Sequence, residues 1–111
     1  MTSLNDLSLS EARDGLRAKK FSAAELARAH VDAMIAARPL NAFISETPVI
    51  AKAMADESDK RIARGEARPL EGLPLAIKDL FCTNGTRTTA ASKILGNFVP
   101  PYESTVTQNL W

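Results

Sequence analysis

Lys78 is the residue best placed to do chemistry in this 111-residue sequence. It closes an apolar run, Leu73 to Ile77, bounded by Gly72 before it and by a polar, threonine-rich loop after it. A run of this length and setting reads as a β-strand buried on both faces. Pro74 places the entry to the strand at its start, because a proline inside a ladder removes a hydrogen bond. Period-two alternation then puts Leu73, Leu75 and Ile77 on one face and Pro74, Ala76 and Lys78 on the other. Two readings of the lysine follow. In one, it marks the strand's exit into water, with its stem on apolar surface and its ammonium snorkelling out. In the other, it stands at the carboxyl end of a central strand, where open α/β sheets form their ligand crevices. Desolvation there penalises an ammonium, and a lysine's ordinary pKa of ~10.4 must fall by several units before the amine serves as a base near neutrality.

The loop beyond it carries Cys82, Thr83, Thr86, Thr88, Thr89 and Ser92. A nucleophile needs an adjacent base and donors for an oxyanion, and no motif around these residues supplies either. They read as hydroxyls that tie a tight loop to its own backbone, with Cys82 as a small packed side chain. Arg87 has the chemistry to pair with a substrate carboxylate, although a surface arginine is the simpler reading. His30 has no Cys or His companion at metal-binding spacing and reads as a packed or solvated helix residue. No metal or cofactor ligands are expected in this chain.

Helices must position this stretch. Ser8 with Glu11 and Ser22 with Glu25 both have capping-box spacing. Phe21 before the second cap and Leu26 at the fourth helical position form a hydrophobic staple. A helix is predicted over 22–38, stopped by Pro39. Another is predicted from Thr47, with Pro48 at the favoured first position and an end at Gly65. Its apolar stripe is Ala51, Met54 or Ala55, then Ile62. Its charges (Asp56, Glu57, Asp59, Lys60, Arg61 and Arg64) read as a solvated face. Residues 42–44 have the character of a short extended segment, 98–102 form a stiff proline-restricted one, and Ser104 caps a last helix over 105–111.

Composition sets outer limits. With 45% hydrophobic and 24% charged residues, a chain of this length buries roughly 65% of its unfolded surface and has room for one modest core. Fourteen basic residues against thirteen acidic give a net charge of +1, which supplies no electrostatic argument for nucleic acid or an anionic membrane as a direct partner. A lone cysteine excludes an intrachain disulfide and fits a reducing compartment. With no leader-like start and no apolar stretch of ~18 residues, the expectation is a soluble, cytoplasmic protein.

The segment from Gly72 to Asp79, GLPLAIKD, resembles the lysine motif of the amidase signature family. The text that follows, FCTNGTRTTAASKIL over 81–95 and NFVPPYESTV over 97–106, is more particular and resembles that family's glutamyl-tRNA(Gln) amidotransferase A-subunit branch. The likeness covers essentially the whole chain, weakly in the helices and strongly from Gly72 to Trp111. It implies an α/β/α fold around a large mixed sheet. This chain would contribute the N-terminal helices and first strands, an incomplete part of a single amidase domain, helical over 1–67 and strand-plus-loop over 68–111. The resemblance also implies a Ser–cis-Ser–Lys triad, in which the lysine works through the middle serine to deprotonate the nucleophile that attacks glutamine's side-chain amide. Ammonia then passes to a partner protein of the complex, where ATP and Mg serve the conversion of Glu-tRNA(Gln) to Gln-tRNA(Gln), with the B and C subunits as partners. Lys78 is the triad member that carries over. Both serines belong to a Gly/Ser-rich segment further along, so the 111 residues alone are expected to be inactive. Two further readings stand beside this one: a segment of an amidase acting on small amides, and a non-catalytic helical module that binds partners.

Overall fold

The structure, a computed structural model, describes residues 3–111. Both capping boxes form. The Ser8 hydroxyl accepts from the Glu11 amide and the Glu11 carboxylate accepts from the Ser8 amide at 2.8 Å, opening α1 (Leu9–Arg17). Ser22 and Glu25 make the same exchange at the start of α2 (Ala23–Ala36). Pro39 falls in a 3-10 turn, Arg38–Leu40, that ends at Asn41 in the left-handed region. α3 (Pro48–Ala63) opens on its proline, as the sequence predicts, and is followed by Gly65 at φ 72°. A short α4 (Thr105–Leu110) is capped by Ser104, whose hydroxyl accepts from the Thr107 amide at 3.2 Å.

The chain divides into two compact units. The first, Met1–Ala42 with Pro48–Pro74 and described from Ser3 onward, holds the hydrophobic core. Leu16 and Leu26 are buried there among Ala12, Ala23, Ala27 and Ala55, and Phe21, Ile62 and Leu73 pack against them. Burying each leucine contributes about 2 kcal/mol. The alanines allow close approach of the helix backbones, and Gly15 goes further: a Cβ there would lie 2.4 Å from the Phe21 ring. The staple residues Phe21 and Leu26 thus both belong to the core. On α3 the inward stripe runs through Ala55, Ser58 and Ile62, while Met54 is exposed.

Two acidic groups help hold this unit together: Asp59, expected on a solvated face of α3, and Glu71, in the segment after that helix. Asp59 of α3 accepts from the Ala23 and Ala24 amides at 2.7 and 3.1 Å, so it satisfies the first turn of α2 from a neighbouring helix. Glu71, with a side chain only 2% exposed, accepts from Arg61 at 2.7 Å and from Arg68 at 3.0 Å. Burial alone would raise its pKa. Hydrogen bonds from Ser58, Arg68 and Arg61 outweigh that and hold it at about 2. Arg61 and Asp59 are therefore structural members of α3, in contrast to the solvated face expected for them.

The second unit comprises Phe43–Thr47 and Leu75–Trp111. Its buried residues are Thr88, Thr89, Thr107 and Pro100, whereas Leu80, Ile94, Val99 and Tyr102 are exposed. Backbone hydrogen bonds knit it: Gly85 N–H to Pro100 O at 2.9 Å, Thr88 N–H to Phe98 O at 3.0 Å, and Ser104 N–H to Cys82 O at 2.8 Å. The fully buried Thr107 hydroxyl sits within reach of Cys82 O and the Glu103 carboxylate, and the Trp111 indole donates to Glu103 at 3.2 Å.

The expected first strands are not formed among the described residues. Among the described residues the regular elements are helices and 3-10 turns, and residues 73–78 are irregular. The sole β pairing there is one antiparallel bridge between Thr83 and Thr86. A strand exists through its ladder, and no neighbouring strand is available among these residues to receive one. The two-faced burial read from the apolar run is likewise absent: Leu73 packs on the helical core, but Leu75, Ala76 and Lys78 are exposed. Residues 42–44 also lie outside any strand.

Candidate active site around Lys78

Lys78 sits at a turn, with its carbonyl accepting from the Phe81 amide at 3.1 Å. Its side chain is exposed, and its ammonium has no hydrogen bond or ion pair among the described residues. The dry strand terminus of the sequence reading is therefore not what these 111 residues build. What they do build is an anchor one residue further on. The Asp79 carboxylate accepts from the Thr89 amide at 3.0 Å and from the Thr89 hydroxyl, and the Asp79 carbonyl accepts from the Ala90 amide at 2.7 Å. Desolvation pushes the Asp79 pKa up. The Thr89 hydrogen bonds, a backbone bond at Ala91 and the nearby Arg87 charge together outweigh it and hold the carboxyl below its usual range.

Thr89 is the centre of this arrangement and is 3% exposed. Its hydroxyl oxygen also accepts from the Ala91 amide at 3.1 Å, and its carbonyl accepts from the Ser92 amide at 2.8 Å. These bonds require the chain to double back, which Ala90 and Ala91 do at φ 49° and 58°. Left-handed backbone costs an L-residue with a Cβ roughly 1–2 kcal/mol. Two consecutive alanines in that region are held there by the bonds on either side.

The remaining loop groups are placed much as the sequence reading expects. Thr83 donates to Phe81 O at 3.2 Å, Thr88 donates to Thr86 O at 3.0 Å, and Ser92 accepts from the Ile94 amide at 3.3 Å. Each is a hydroxyl tied to nearby backbone, with no base beside it. The half-buried Cys82 thiol lies 3.4 Å from the Tyr102 hydroxyl. Arg87 is exposed, and the His30 ring bonds Leu26 O at 2.9 Å within α2. Among the described residues no group of three His, Cys, Asp or Glu side chains could hold a metal ion. No helix there is long and apolar enough to cross a membrane. Asp79 and Thr89 are the members of the site that sequence reasoning missed as a pair. The signal was the carboxylate directly after Lys78, followed ten residues later by a buried threonine.

Residues 25–111 match the Amidase family. The chain belongs to that family. Over its full length it is 69% identical to the A subunit of the glutamyl-tRNA(Gln) amidotransferase from Beijerinckia indica subsp. indica, and 63% identical to the protein of the same name from Azorhizobium caulinodans. In each case it covers 22% of the relative, so this Amidase-family chain spans about a fifth of their length. Its backbone also superposes on a solved chain from "an unexpected vestigial protein complex" that "reveals the evolutionary origins of an s-triazine catabolic enzyme". That match has a TM-score of 0.84 and 34% identity over 94% of this chain and 23% of the other.

Proposed function

We propose that this sequence is the lysine-bearing N-terminal part of the A subunit of a tRNA-dependent amidotransferase, in which Lys78 is the base of a Ser–Ser–Lys amidase. The observation that carries the reading is the GLPLAIKD segment ending at Lys78 and Asp79, inside an Amidase match and a 69%-identical alignment with such a protein. A base needs a dry surrounding, and in this proposal the rest of the subunit covers the exposed lysine. The lysine then works through one serine to deprotonate a second, which attacks the side-chain amide of glutamine and releases ammonia. The ammonia is used by a partner protein, with the B and C subunits, ATP and Mg serving the conversion of Glu-tRNA(Gln) to Gln-tRNA(Gln) in the cytoplasm. Since both serines belong to a later segment, residues 1–111 alone have no glutaminase activity in this proposal.

The test is a full-length protein carrying these 111 residues in place of the matching segment of the Beijerinckia indica relative. Lys78→Ala is expected to lower ammonia release from glutamine by about 10³-fold, the scale of a general base that acts as one unit with its nucleophile. Its melting temperature should stay within a few degrees of the parent, because the ammonium has no partner among the described residues. Wild-type turnover in that variant refutes the proposal.

A further inference from the structure

We infer that Asp79 is a positioning residue for Lys78 and acts through Thr89; the inference rests on the reading of Lys78 as the base. An unpaired ammonium on a flexible stem takes its aim from its own backbone, and here that backbone is fixed from one side. The Lys78 carbonyl holds only the short turn to Phe81. The next residue is bound three times to Thr89 and Ala90, by the Thr89 amide at 3.0 Å, by the Thr89 hydroxyl and by the Ala90 amide at 2.7 Å. The receiving group is deeply buried, with Thr89 3% and Thr88 6% exposed, in a unit where Leu80, Ile94 and Val99 are exposed. Lys78 itself is exposed, and the carboxylate–threonine clamp on Asp79 holds its backbone in place. The paired left-handed alanines fit the same purpose, since they turn the Ala90 and Ala91 amides back onto Asp79 and Thr89. A displacement of 1 Å in a reacting group lowers turnover by about 10²-fold without changing how substrate binds.

The full-length chimaeric protein used to test Lys78, assembled with its partner proteins, tests this. Asp79→Ala and Thr89→Val are each expected to reduce kcat for glutamine hydrolysis by about 10²-fold while KM moves less than about threefold. The double variant should be no slower than the worse single one, because both break the same clamp. Thr89→Ser, which keeps the hydroxyl, should stay within about threefold of the parent. A role in stability alone would lower the melting temperature but leave kcat per folded molecule unchanged, and that result overturns the inference. So do losses that multiply in the double variant. If Asp79→Ala fails to fold, Asp79→Glu keeps the charge but displaces the acceptor by one methylene. A kcat about tenfold lower supports the clamp, and an unchanged kcat overturns it. Lys78→Ala, run alongside, separates the two levels: activity there removes the underlying reading. An inactive Lys78→Ala beside fully active Asp79 and Thr89 variants removes only the clamp.

Discussion

Replacing Glu71 by glutamine tests how much of the helical unit depends on one buried carboxylate. The folded-state pKa of about 2 lies 2.5 units below the ordinary value of 4.5. At 1.36 kcal/mol per unit, that difference corresponds to about 3 kcal/mol of stability, and somewhat less once solvent screens the part-exposed arginines. Because the folded pKa is the depressed one, this stabilisation is complete above pH 4.5 and is lost as pH falls from 4.5 toward 2. By pH 3 about 2 kcal/mol has gone. Urea unfolding followed by circular dichroism, on the wild-type chain and on Glu71→Gln, should show a gap of about 3 kcal/mol at pH 7, in the range of breaking a buried pair. The gap should shrink to about 1 kcal/mol at pH 3, because protonation does to the wild type what the substitution did to the variant. A gap that stays constant between pH 7 and pH 3 refutes the assignment of this carboxylate as the acid-sensitive group.

Asp59→Ala removes the acceptor for two α2 amides and should cost about 1–2 kcal/mol, as loss of a helix cap does. Hydrogen exchange should quicken at Ala23 and Ala24 ahead of the rest of α2. Gly72→Ala places a Cβ 3.0 Å from that of Ala23 and 3.2 Å from Leu16, at φ 77°. Gly65→Ala meets nothing within 4 Å at φ 72°. Thermal melts should therefore show the Gly72 variant destabilised by about 2 kcal/mol or more and the Gly65 variant by about 1, the backbone strain alone.

The parts of this molecule legible in its sequence are the short-range ones. Ser8 with Glu11 and Ser22 with Glu25 specify helix starts through contacts three residues apart, and Ser104 does the same for α4. Asp59 was hidden because the α2 amides it accepts from lie 36 and 35 residues away, and a carboxylate on a charged helix face looks the same whether or not it reaches a neighbour. Glu71 has Arg68 three residues away, but its burial and its bond to Arg61 of α3 are set by packing. The run from Leu73 to Ile77 carries the composition of a strand, yet composition does not supply a ladder partner, and none is present among the described residues. At the candidate site the motif singled out Lys78. The residue that fixes its backbone was not legible, because the bond from Asp79 to Thr89 exists only once Ala90 and Ala91 adopt a conformation that alanine's propensity argues against.

The second unit, with threonines inside and aliphatic side chains outside, has a calorimetric consequence. Exposing apolar groups raises the heat capacity on unfolding, and exposing polar ones lowers it. A segment that conceals hydroxyls and carbonyls therefore adds less heat capacity per residue on unfolding than the leucine-centred helices do.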